Sequence, residues 1–120
     1  MKLNVVVYSK CLALGFVLHS AYYVHAQDSP RRIEIVAKRF DFTPGDITVT
    51  KGVPVTLALT SEDVDHGLTF KGLDVVIKGK KGATKEVTFT PNKTGTFVGQ
   101  CSVFCGSGHG KMKMTLHVTE

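Results

Sequence analysis

The chain is 120 residues long, 42% apolar and 21% charged, with a formal net charge of +5. That is one domain's worth of chain with enough apolar material for a packed core, which excludes a disordered polypeptide. The chain lacks clustered Lys and Arg interleaved with aromatics, which argues against nucleic acid as a partner.

The first element is a leader. Lys2 and Lys10 flank and precede an apolar stretch, Cys11 to Leu18 continuing through Ala21 to Val24, and Val24-His25-Ala26 stands before the polar Gln27. A basic start, an apolar run of secretory length and small residues at an A-x-A-like site read as an export signal over 1–26. The run is broken by His19 and Ser20 and is short for a membrane span. An uncleaved anchor is the alternative. The expected location is periplasmic or secreted, or facing the periplasm on an anchor. Cleavage leaves a domain over 27–120, about 94 residues, with two cysteines, three histidines and a formal charge of +3.

After the leader, period-2 alternation and turn residues dominate. Ile33, Ile35 and Ala37 alternate with polar neighbours, and Phe40 and Phe42 flank Asp41 before the turn Thr43-Pro44-Gly45-Asp46. Ile47 and Val49 form a short strand that Lys51-Gly52 ends, and Val53, Val55, Leu57 and Leu59 form the next. Val75-Val76-Ile77, Val87-Thr88-Phe89, Thr96-Phe97-Val98 and Met114 to Val118 follow. No segment past the leader holds a helical i, i+3, i+4, i+7 apolar pattern. Seven or eight short strands with frequent turns predict an all-β, antiparallel Greek-key sandwich. There is no internal repeat and no linker.

Chemistry concentrates between Gly99 and Met112. Cys101, Cys105, His109 and Met112 stand as C-x3-C-x3-H-x2-M, with Gly106, Gly108 and Gly110 among them. Thiolate, imidazole and thioether make a soft donor set, which favours copper over calcium, magnesium or manganese. His66, in Asp63-Val64-Asp65-His66-Gly67, ends a strand-like run and is the candidate donor from elsewhere in the fold. A mononuclear blue site needs two histidines, one cysteine and an axial methionine. This chain holds one thiol more, and two thiolates can bridge two copper ions and leave each a histidine of its own.

The segment resembles the binuclear copper (CuA) loop of cytochrome c oxidase subunit II and of the corresponding nitrous oxide reductase domain. The 35-residue step from His66 to Cys101 fits that family too. The resemblance implies a cupredoxin fold. It implies that Cys101 and Cys105 bridge two coppers, that His66 and His109 bind one each, and that Met112 and the Val103 carbonyl are weak ligands. Subunit II usually has glutamate where Val103 stands, carries a tryptophan that admits electrons from cytochrome c, and has a two-helix anchor. No tryptophan occurs among these 120 residues, and no such helix pair is read from them. Those departures bear on an oxidase-subunit role and leave the copper site untouched.

Other readings stay open. Exported cysteines commonly form disulfides, yet a Cys101–Cys105 bridge leaves His66, His109 and Met112 without a use. A zinc site leaves Met112 idle. Met114 alternates with Leu116 and Val118 and is read as core, His117 as outward surface, and Lys78, Lys80 and Lys81 as a solvated turn. The expected function is electron transfer to or from a respiratory oxidase, a reductase or a cytochrome, without substrate chemistry of its own. Copper delivery or storage, or a mononuclear cupredoxin, is the alternative, and the missing C-x-x-C argues against a thiol oxidoreductase. With Lys111 and Lys113 on the loop and no acidic residue between Asn92 and Thr119, the expected partner is an acidic or neutral redox protein.

Overall fold

The computed structural model describes residues 30–120. The leader read over 1–26 lies outside them. Nine strands form among the described residues: β1 (Arg31–Lys38), β2 (Asp41–Thr43), β3 (Asp46–Thr50), β4 (Val55–Ser61), β5 (His66–Phe70), β6 (Val75–Gly79), β7 (Thr84–Phe89), β8 (Gly95–Gln100) and β9 (Lys113–Thr119). Two single 3₁₀ turns, Lys71–Leu73 and His109–Lys111, are the described helical pieces. No helix among the described residues is long and apolar enough to cross a membrane.

The strands lie in two sheets. One has the order β2-β1-β4-β7 and the other β3-β9-β8-β5-β6. Alternation decides which side chains meet between them, because successive residues of a strand point to opposite faces. Strand β3 buries Ile47 and Val49 and β9 buries Met114, Leu116 and Val118 with polar residues facing out, while β6 buries Val75 and Ile77 and turns Val76 and Lys78 outward. Strands β4 and β5 are buried along most of their length, as inner members of their sheets should be. Ile35, Leu57, Leu59, Leu68, Phe70 and Leu116 are fully buried between the layers. Removing each such side chain from water stabilises the fold by about 1.5–3 kcal/mol.

Several details differ from the sequence reading: nine strands form among the described residues where seven or eight were expected, and Val53 lies outside β4 and is exposed. The sandwich is not wholly antiparallel: β1 runs parallel to β4 and β3 parallel to β9. Between β1 and β4 the chain visits the other sheet as β3, and a strand that returns after crossing layers can re-enter in either direction. His66, read as closing a strand, instead opens β5, whose partner is β6 with His66 opposite Gly79. The run ahead of it, β4, ends at Ser61, and Glu62 to Asp65 form the connection. Met114 is buried at 2% exposure, as expected.

The second sheet is less tightly knit at its centre. Strands β8 and β9 share six register pairs, while β5 and β8 are joined by Thr69 opposite Gln100. Gly99 permits that approach: a Cβ there would lie 2.6 Å from the Phe70 ring. A groove lined by Thr69, Lys71, Thr96, Val98 and Gln100 follows the gap and reaches Cys101.

Candidate metal centre

The ladder between β8 and β9 sets the base of the site. Gln100 pairs with Lys113, and the ladder extends one step further, with the Cys101 N–H donating to the Met112 carbonyl at 3.0 Å. The loop from Cys101 to Met112 is therefore the connection of a hairpin, and its two ends are pinned side by side. Inside it the chain turns tightly, with the N–H groups of His109, Lys111 and Met112 donating to the carbonyls of Gly106, Gly108 and His109. Gly106 has φ +134°, a conformation L side chains rarely adopt. Gly108 is needed for space: a Cβ there would sit 2.5 Å from the Phe40 ring.

The second contributor is β5. His66 is fully buried, and Gly67 behind it is held against the loop, where a Cβ would lie 2.4 Å from Ser102 Oγ and 3.1 Å from the Val103 nitrogen. The glycine after His66 is thus the residue that lets the loop close over the strand.

The structure brings all six sequence-predicted residues together. Cys101 Sγ and Cys105 Sγ are 3.5 Å apart, and both cysteines are free and buried. His66 Nδ1 stands 3.9 Å from Cys101 Sγ, and His109 Nδ1 stands 3.6 Å from Cys105 Sγ. Met112 Sδ is 3.7 Å from Cys105 Sγ, and the Val103 carbonyl oxygen is 3.1 Å from Cys101 Sγ. The donor atoms of His66, Cys101 and Cys105 all lie within 4.8 Å of one another. Met112, His66 and both cysteines are shielded from water, whereas His109 and Val103 are half-buried toward the loop's outer side.

Electrostatics orient the donors. Burial would raise the Asp63 carboxyl, but the N–H of Arg39, the His66 ring and the N–H of Val64 outweigh it and hold the group at about 2. An ionised carboxylate only accepts hydrogen bonds, so His66 Nε2 carries the proton it donates to Asp63 Oδ1 at 2.7 Å. That leaves the Nδ1 lone pair directed at the sulfurs, as an outer carboxylate does for a metal-binding imidazole. Arg39 ties the same carboxylate to the loop: its N–H donates to Asp63 Oδ2 and its Nε to the Cys105 carbonyl, each at 2.9 Å. Burial, joined by the neighbouring Cys101, pushes the Cys105 thiol up to about 11. A buried thiol pair with two imidazoles and a thioether is a soft donor set, which copper fits and a hard cation does not.

Asp63, Arg39 and Phe40 were not singled out in the sequence. A carboxylate three residues before a candidate ligand histidine is a signal that could have found Asp63. Arg39 and Phe40 carry none, since they reach the loop from the β1–β2 turn, 66 residues away along the chain for the Arg39–Cys105 contact. His117, read as plain surface, bridges Asp46 Oδ1 at 2.9 Å and Thr96 Oγ1 at 3.3 Å across three strands. In the turn read as solvated, the Lys80 ammonium and the Lys81 N–H both reach Asp65.

The family described as Cytochrome C oxidase subunit II, periplasmic domain, matches residues 31–119. A cytochrome c oxidase subunit 2 from Thermus thermophilus is 30% identical over 88 residues, 73% of this chain and 65% of that relative. A second subunit 2 from the same species shows 30% identity over 73% of this chain and 52% of its own length. The chain thus spans between half and two thirds of the length of these curated relatives. The periplasmic domain of subunit II of cytochrome oxidase from Bradyrhizobium japonicum superimposes with a TM-score of 0.68 at 23% identity, covering 75% of this chain and 84% of that one. That similarity shows a shared cupredoxin-type fold.

Proposed function

This chain belongs to the family of cytochrome c oxidase subunit II periplasmic domains, and from that premise we propose that it holds a binuclear copper centre serving a respiratory oxidase or reductase. It is a copper-binding electron-transfer domain whose family faces the periplasm. In this reading Cys101 and Cys105 bridge two coppers, His66 and His109 each bind one, and Met112 and the Val103 carbonyl are weak ligands. One arrangement supports it above others: two free sulfurs 3.5 Å apart, each with an imidazole nitrogen of its own at 3.9 or 3.6 Å. A mononuclear site has no use for the second thiol.

Bound copper supplies a one-electron couple. The chain's own residues supply the rest. The β8–β9 ladder and the Cys101 N–H bond to Met112 fix the base of the loop, and Asp63 fixes the His66 ring. Burial of both thiols and the thioether keeps water out. Donors held this firmly need little rearrangement when charge changes, which is the protein's share of fast electron transfer. The same burial disfavours copper delivery, because a carrier must expose its ligands to hand the metal on.

The exported form begins at Gln27, after a cleaved signal over 1–26, and its redox partner is an acidic or neutral cytochrome or copper protein. Intact-mass measurement on exported protein tests the first point, and a mass that includes the leader in the membrane fraction would reject it. Copper analysis with paramagnetic resonance tests the main reading. Two coppers per chain sharing one unpaired electron are expected. Saturation at one copper with a blue single-site spectrum would overturn it.

A further inference from the structure

Among the described residues Phe104 is 78% exposed, while the other exposed large apolar residues, Val53, Val76 and Val98, lie between 49 and 51%. It sits between the two cysteines, on a loop whose glycines offer no side chain to shelter it. Its ring is not idle: the centroid stands 5.7 Å from that of His109, tilted by 46°. His109 in turn is 3.6 Å from Cys105 Sγ. Ring, imidazole and sulfur thus form a chain of close contacts from solvent to the buried thiol pair.

Basic residues stand on the loop that carries it and beside that loop. Exposed Lys111 and Lys113 stand on the same loop and its exit, exposed Arg39 donates to the Cys105 carbonyl, and no acidic residue occurs between Asn92 and Thr119. The carboxylate that touches the site, Asp63, is occupied by His66 and by the Arg39 N–H.

We propose that Phe104 is the docking contact through which the chain meets its redox partner, a protein that presents an apolar redox edge ringed by carboxylates. This rests on the electron-transfer reading above. Apolar contact at the centre with opposite charge at the rim is how short-lived redox complexes combine orientation with fast encounter. The transfer would be of a single electron, lost by the partner's reduced redox group and gained by copper held by Cys101, Cys105, His66 and His109, with no bond made and no proton moved.

The test uses one cytochrome c in two forms, unmodified and with its lysines succinylated, which inverts the charge around the same haem edge. At low salt the copper-loaded exported chain should exchange electrons at least tenfold faster with the succinylated form, and the gap should close above about 0.1 M salt, where screening acts within roughly 10 Å. A binding titration with both proteins oxidised, so that no electron flows, gives a second readout. Phe104→Ala should weaken that complex about tenfold and Phe104→Leu should restore part of it, with copper content and spectrum as wild type. Equal binding by Phe104→Ala, or preference for the unmodified cytochrome, overturns the proposal. Wild-type chain that exchanges no electron even with hexaammineruthenium overturns the electron-transfer reading itself.

Discussion

The loop from Cys101 to Met112 has two halves that obey different physics. Its base, Cys101 and Met112 against His66, is buried, laddered by the Cys101 N–H bond and braced by Asp63. Its crown, Val103 to Gly110, is partly or fully exposed apart from Cys105, rich in glycine, and held from below by Phe40 and Arg39. In the proposed reading the base retains the metal and the crown meets the partner. A site that must keep its metal yet meet a partner needs both, because burial that excludes water also excludes contact.

The sharpest break in that comparison is Cys105→Ser. It removes the donor that faces Cys101, His109 and Met112 at once. Copper content should fall from two to at most one per chain, and any shared-electron resonance should vanish.

Copper uptake should depend steeply on pH. Burial raises the Cys105 thiol to about 11, so near neutral pH the metal-free site holds that proton and copper must displace it. Affinity should therefore rise with pH, by up to about tenfold per unit for each proton released. Competition with a copper chelator at pH 6 and pH 8 reads this, and a flat profile would mean that thiolates are not the donors. Air-oxidised protein should take up copper only after reduction.

Two glycines of the crown differ in whether they rest on the support below it. At Gly108 an added Cβ meets the Phe40 ring at 2.5 Å, whereas at Gly110 it meets nothing within 4 Å. Gly108→Ala should cost about 1–3 kcal/mol through overpacking, visible in urea denaturation, and a Phe40→Leu partner substitution should recover part of it. Gly110→Ala should stay within about 0.5 kcal/mol of wild type. Equal effects would mean that Phe40 does not support the crown.

Asp63 should give the metal-free domain a mild acid sensitivity. Its carboxyl lies at about 2 against an ordinary 3.8, so its contribution is fully present above about 4 and is lost as pH falls toward 2. Unfolding free energy measured between pH 5 and pH 2 should fall less steeply in Asp63→Asn. The smallest effect belongs to Val103, proposed to act through its carbonyl. Val103→Ala and Val103→Glu should both keep the two-copper spectrum, and loss of copper from both would reject that assignment.

The cluster of candidate donors was legible from residue types because chemistry is local. Two thiols, an imidazole and a thioether within one glycine-rich stretch name a soft metal whatever surrounds them. Strand content was legible for a related reason: period-2 alternation survives wherever one face of a strand is buried, and Ile47, Val49, Met114, Leu116 and Val118 all face the core as their spacing requires. His66 was found by type and by spacing, but its place at the head of β5 was not, since it depends on pairing with β6. The parallel pairings of β1 with β4 and β3 with β9 were hidden as well, because direction is decided by how the chain crosses between sheets and leaves no mark on alternation. Asp63, three residues before His66, left a local signal, whereas tertiary structure alone supplied the Arg39 bond to the loop and the Phe40 ring beneath Gly108. Those partners are brought together by closing long loops of chain. A distance that exists only after folding cannot be read from residues whose types are common and whose separation is large.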